Sequence, residues 1–156
     1  GWIALRFAGE RPERVERLVL LCPGGVAPPK ASFSLRVVPF LFLGEWGLDR
    51  IMRIVNGNVD MPEEAVEYSK LIGRHFNPRM EGNAVIPDEA LRRVTMQTLL
   101  IVGLKDALLD SRKTAERLGS LLPRLQVEIL PDAGHVLINL SGEILAFLGN
   151  PEMEAG

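Results

Sequence analysis

The chain has 156 residues, 47% of them hydrophobic, and 18 basic against 20 acidic side chains leave a formal charge of −2. That supports one domain with a buried core, and the lack of a basic stripe or aromatic–basic interleaving excludes a nucleic-acid surface. One cysteine and two histidines exclude an internal disulfide framework and the usual zinc sites, so no metal and no organic cofactor are expected, in a reducing, cytoplasmic setting. The longest apolar run, Val37 to Leu43, is far short of the roughly 20 residues that cross a membrane.

Gly1-Trp2-Ile3-Ala4-Leu5 is already in helical stride, without Met and without a capping residue. This is expected of a chain cut from a longer one. No signal-peptide pattern is visible there. Gly1 to Gly9 reads as a helix with Ile3, Leu5, Phe7 and Ala8 inward, and Val15 to Leu21 as a strand ended by Cys22-Pro23-Gly24-Gly25. Gly24-Gly25 lacks the spacing of a phosphate-cradling loop. Val26 to Val94 shows no strand alternation and reads as a helical insert. Ser32 caps a helix through Phe42 that Pro39 must kink or split. A helix over Glu45–Val55 follows, then one from Met61-Pro62 to about Phe76, stopped by Asn77-Pro78. A short helix starts at Pro87.

From Gln97 the α/β order returns. A strand reaches Gly103, Ser111 caps a helix to Leu122, a strand covers Gln126–Leu130, and Val136–Leu148 is a last helix despite Gly142 in its middle. Asn150 to Gly156 reads as a frayed tail. Asp106 follows the first of these strands and His135 the second. An acid and a histidine just past neighbouring parallel strands are placed as a catalytic pair at the carboxyl edge of a sheet.

Four segments together resemble the α/β-hydrolase fold. Gly1–Val15 resembles the helix after the nucleophile elbow, and Leu18–Leu21 the next strand. Gly103-Leu104-Lys105-Asp106 resembles the turn of the triad acid, and Asp132-Ala133-Gly134-His135-Val136 the loop of the triad histidine. The resemblance implies a partial α/β-hydrolase fold: parallel strands flanked by helices, with core at 1–25, a helical cap or lid at 26–95, and core again at 96–156. It places the Gly-x-Ser-x-Gly elbow at or just before Gly1, so the nucleophile and the oxyanion loop fall outside the chain.

On that reading His135 is the base and Asp106 orients it. Asp110 is the rival acid but suits the start of the following helix, and Asp132 suits a solvated turn. Ser32, Ser34, Ser69, Ser111, Ser120 and Ser141 lack elbow context. Cys22 reads as a small buried hydrophobe, and His75 as solvated. Phe40, Phe42 and Trp46 are the candidates to line an apolar substrate pocket, with packing of the insert as the equal alternative. The expected parent is a carboxylesterase-like serine hydrolase acting on small apolar esters or acyl compounds. Epoxide hydrolase or dehalogenase chemistry follows if the elbow carries Asp. The chain alone is expected to be inactive, a non-catalytic fragment or binding module. Loss of the earlier strands would bare one edge of the Val15–Leu21 strand, so a homodimer through that edge is also expected.

Overall fold

The computed structural model describes residues 1–59, 62–75 and 84–149. Helix α1 (Trp2–Glu10) leads through a 3-10 turn, Pro12–Arg14, to strand β1 (Arg17–Leu21). Only helical elements follow among the described residues up to the next strand: α2 (Ala31–Val37), a 3-10 turn Val38–Phe40, α3 (Gly44–Val55), α4 (Glu63–His75) and α5 (Asp88–Arg92). Then come β2 (Gln97–Gly103), α6 (Ser111–Leu121), β3 (Leu125–Leu130) and α7 (Ser141–Gly149). Met61, Asn77, Pro78 and the tail 150–156 lie outside the described residues. Pro39 does split the expected helix, because proline supplies no N–H to continue the α ladder.

The sheet is parallel, in the order β1-β2-β3. Leu21 pairs with Ile101 and Gly103 with Leu130. All three strands therefore end at one edge, from which the connecting loops emerge side by side. The central β2 is apolar from Leu99 to Val102 and buried from Thr98 onward, as a strand covered on both faces must be. Leu18, Leu20, Leu100 and Val102 face a core shared with Leu5, Leu91 and Leu118 of α1, α5 and α6. Leu99 and Ile101 face the other way, onto Leu140 and Phe147. This is the partial α/β-hydrolase architecture, parallel strands flanked by helices, that the sequence implies.

Several expected details are corrected. Ser32 lies inside α2, which starts at Ala31, and of the α1 residues expected inward only Leu5 and Ala8 are buried, Ile3 and Phe7 being exposed. Asp110, not Ser111, caps α6, accepting from the Lys113 amide at 3.2 Å, while the Ser111 hydroxyl donates to the Gly103 carbonyl at 2.6 Å. The last helix begins at Ser141 rather than Val136. Asn139, at φ 60°, holds a left-handed backbone that stops residues 136–140 from winding into it. Gly142 thus sits in the first turn of α7, where it costs less than in a helix interior.

Candidate active site

The site starts with how closely β2 and β3 deliver their loops. The Leu104 amide donates to Leu130 at 3.0 Å and the Lys105 amide to Ala133 at 2.9 Å, extending the sheet past its formal end. Gly103 is what permits this. A Cβ there would lie 2.3 Å from the carbonyl oxygens of both Ala133 and Gly134, so any other residue would push the two loops apart.

Asp106 emerges from the turn after Gly103 with its side chain fully buried. Its Oδ1 accepts from the amides of Leu108 and Leu109 at 2.8 and 2.9 Å, and its Oδ2 lies 2.8 Å from His135 Nδ1. A carboxylate that gathers backbone donors is an acceptor, so Nδ1 of the neutral ring carries the proton and Nε2 is left with a lone pair. The His135 side chain is 28% exposed, so the ring is not sealed into the core as its carboxylate partner is. The structure thus brings the two expected catalytic residues together. Asp110 is spent on its helix cap, and Asp132 is exposed and paired with Lys105 Nζ at 2.8 Å. His75 ends α4 and is exposed.

Cys22 lies closer to the pair than its place in the sequence suggests. One ligand-type atom each from Cys22, Asp106 and His135 falls within a 4.8 Å cluster. Its thiol points at the Gly134 carbonyl at 3.9 Å, and burial pushes its pKa up to about 11. A protonated thiol and a carboxylate already committed to three donors make a hydrogen-bonded network, not an open set of metal ligands.

The insert supplies contacts that the sequence reading missed. Lys30 Nζ donates to the Asp106 carbonyl at 2.7 Å. Asn56, 2% exposed, accepts at Oδ1 from the Val136 amide at 3.0 Å. The Asn56-Gly57-Asn58 turn signal after α3 could have marked that segment, since Gly57 and Asn58 both take positive φ. Phe40 packs its ring against Trp46, centroids 5.8 Å apart, and Phe42 and Trp46 are 84% and 63% exposed. None of the three lines the cavity of about 350 Å³ beside the histidine loop, whose walls include Asn56, Val59, Leu130, Leu137 and Ile138. Among the described residues, no helix is long and apolar enough to cross a membrane.

Residues 1–146 match the family model described as the alpha/beta hydrolase family. The chain belongs to that family. It is 27% identical over 143 residues to carboxylesterase YbfK of Bacillus subtilis (strain 168), covering 85% of this chain and 47% of that protein. It therefore spans about half the length of that curated relative. The crystal structure of carboxylesterase CesB (YbfK) from Bacillus subtilis superposes with a TM-score of 0.75 at 23% identity, over 94% of this chain and 56% of that one. Naproxen esterase from Bacillus subtilis gives 0.72 at 22% identity, over 92% and 55%. A 2-hydroxy-6-oxo-6-phenylhexa-2,4-dienoate hydrolase from Rhodococcus sp. strain RHA1 gives 0.70 at 18%, over 94% and 59%. At these identities the structural matches speak for the fold.

Proposed function

We propose that Asp106 and His135 are the acid and base of a carboxylesterase-like hydrolase whose nucleophile these 156 residues do not supply, with residues 26–95 as its cap. The observation that carries this is the 2.8 Å bond between a fully buried carboxylate and a part-exposed imidazole at adjacent strand ends. Asp before His in chain order matches the order Ser, acid, His of α/β-hydrolases. Three of the six serines have other employment: the hydroxyls of Ser69, Ser111 and Ser120 donate to the carbonyls of Ala65, Gly103 and Arg117.

In this reading His135 Nε2 takes the proton of the attacking hydroxyl as its oxygen bonds to the ester carbonyl. Asp106 holds the ring and stabilises the imidazolium. The proton then passes to the leaving alkoxide, and a water repeats the sequence to free the acid. The substrate class is a small apolar ester, by likeness to the esterases above. A dimer through the free edge of β1 belongs to the same proposal, and light scattering of the 156-residue chain reads its mass.

The test is hydrolysis of p-nitrophenyl butyrate by the gene product that contains these residues and by the 156-residue chain. The former is expected to turn over, and Asp106→Asn to lose on the order of 10⁴ in kcat by forcing the wrong tautomer on His135. The short chain is expected to be inert. Turnover by the short chain, abolished by His135→Ala, would overturn the claim that the nucleophile lies elsewhere. An Asp106→Asn protein as active as its parent would overturn the catalytic pair.

A further inference from the structure

The last residues of α3 and the turn after it lie against both catalytic loops at once. Gly57, at φ +65°, packs so closely on the acid loop that a Cβ there would sit 1.9 Å from the Lys105 carbonyl oxygen. Lys105 immediately precedes Asp106. Asn56 lies against the histidine loop: its main-chain oxygen would meet a Cβ on Gly134 at 2.1 Å, and its Oδ1 accepts from Val136. Gly134 and Val136 flank His135. One short turn of the insert thus touches a neighbour of the acid and both neighbours of the base.

The Asn56 side chain has a single workable orientation. Its Nδ2 donates to the Val59 carbonyl at 3.2 Å inside its own turn, which leaves Oδ1 facing the Val136 N–H. Flipping the amide would set donor against donor and acceptor against acceptor at both ends. Within residues 131–140 the backbone winds into no helix or strand. An external acceptor at Val136 therefore does for this loop what a regular ladder does elsewhere.

We propose that Asn56 is a positioning residue. It fixes the histidine loop from the insert and so holds His135 Nδ1 on Asp106, making the geometry of the pair depend on the insert being seated. The proposal rests on Asp106 and His135 being the catalytic pair, and it deepens that reading by naming what sets their alignment.

The experiment is NMR of the 156-residue chain, which needs no substrate. Two signals are followed: the hydrogen-bonded His135 Nδ1 proton and the exchange of the Val136 amide. Asn56→Leu keeps the size and removes the acceptor. It is expected to speed Val136 exchange at least tenfold and to broaden or abolish the Nδ1 signal, with the Leu100 and Ile101 amides of β2 unchanged. Asn56→Asp keeps an acceptor oxygen at the same reach and is expected to restore both signals.

Three results overturn the proposal. A sharp Nδ1 signal in Asn56→Leu would make Asn56 a cap of the loop only. Loss of the signal in Asn56→Asp as well would remove the acceptor as the agent. Faster exchange spread evenly over β2 would mean that Asn56 holds the fold and not the loop. The catalytic reading fails separately: an intact Nδ1 signal with an inactive gene product would sink the esterase assignment and leave the positioning role standing.

Discussion

The loop that carries the acid and the loop that carries the histidine leave the same sheet edge but differ in how much each holds itself. The acid loop is held largely from within, with Lys30 of the insert donating to the Asp106 carbonyl from outside. Asp106 accepts from Leu108 and Leu109, Asp110 caps the helix that follows, and Ser111 returns to Gly103, all close in sequence to the strand end. The histidine loop is held by its neighbours. Ala133 accepts from Lys105, Gly134 faces the Cys22 thiol, and Val136 donates to Asn56, 80 residues earlier. On the proposed reading, the base that must change protonation in each cycle thus rests on supports outside its own loop, while the carboxylate that steers it takes most of its hydrogen bonds from its own turn.

The largest expected effect breaks that contrast on the histidine side. Gly134→Ala puts a methyl group 2.1 Å from the Asn56 main-chain oxygen and 2.4 Å from its Oδ1. The obstacle is backbone, which cannot swing aside, so the loop or the insert must move. A loss of about 3 kcal/mol is expected, at the upper end for overpacking a tight site. Urea unfolding of the two proteins measures it. Gly119→Ala is the control, since a Cβ there meets nothing within 4 Å. A Gly134→Ala chain as stable as its parent would show that the loop has slack and that its neighbours do not set it.

A smaller effect sharpens the comparison by acting on the insert alone. Arg117 of α6 reaches the carbonyls of Val26, at the start of the insert, and of Ile86, just before α5 in its last part, and also Asp88 at the head of α5. One guanidinium thus ties the first residue of the insert to the segment before α5, as its fan of donors allows. Arg117→Met is expected to cost about 2 kcal/mol through the two lost carbonyl contacts. It also changes the acid limb. The hydrogen bond from Arg117 holds the Asp88 carboxyl below its ordinary value of 3.8, so the pair adds stability above that pH and loses it as pH falls below. The variant should therefore show a flatter decline from pH 4 downward in thermal midpoint. An unchanged acid limb would detach Asp88 from the clamp.

The same contrast explains what was legible in the sequence. The acid turn and the start of its helix are closed by contacts a few residues apart, and the strand before them is marked by an unbroken apolar run, so all three stand where composition and periodicity place them. The cap went to Asp110 instead of Ser111 because the serine hydroxyl is drawn to Gly103 across the turn. His135 was also legible, from Gly134 before it and the strand before that. The helix after it was expected five residues early, because nothing local reveals that Val136 donates to Asn56 or that Asn139 turns left-handed. Asn56, Lys30 and Arg117 escaped notice for the same reason: their partners are 80, 76 and 91 residues away. Apolar content alone did not separate Phe42 and Trp46, which the structure leaves exposed, from Val59 and Ile138, which line the cavity beside the histidine.

The smallest effect concerns the support beneath the histidine loop and leaves stability aside. Cys22 holds φ at 40°, a left-handed backbone uncommon outside glycine, and its thiol is turned under Gly134. Burial first, and then the nearby Asp106 carboxylate, raise its pKa from an ordinary 9.0 to about 11. At pH 8 that shift alone lowers the thiolate fraction by about a hundredfold, and only the thiolate attacks an alkylating agent. Iodoacetamide at pH 8 is therefore expected to label the folded chain at least a hundredfold more slowly than the chain in urea. Gly134→Ala, which shifts the loop off the thiol, should recover part of that rate, whereas a substitution confined to the acid turn should not. Equal protection in both variants would mean that β1 alone shields Cys22, and that the histidine loop rests on it without covering it.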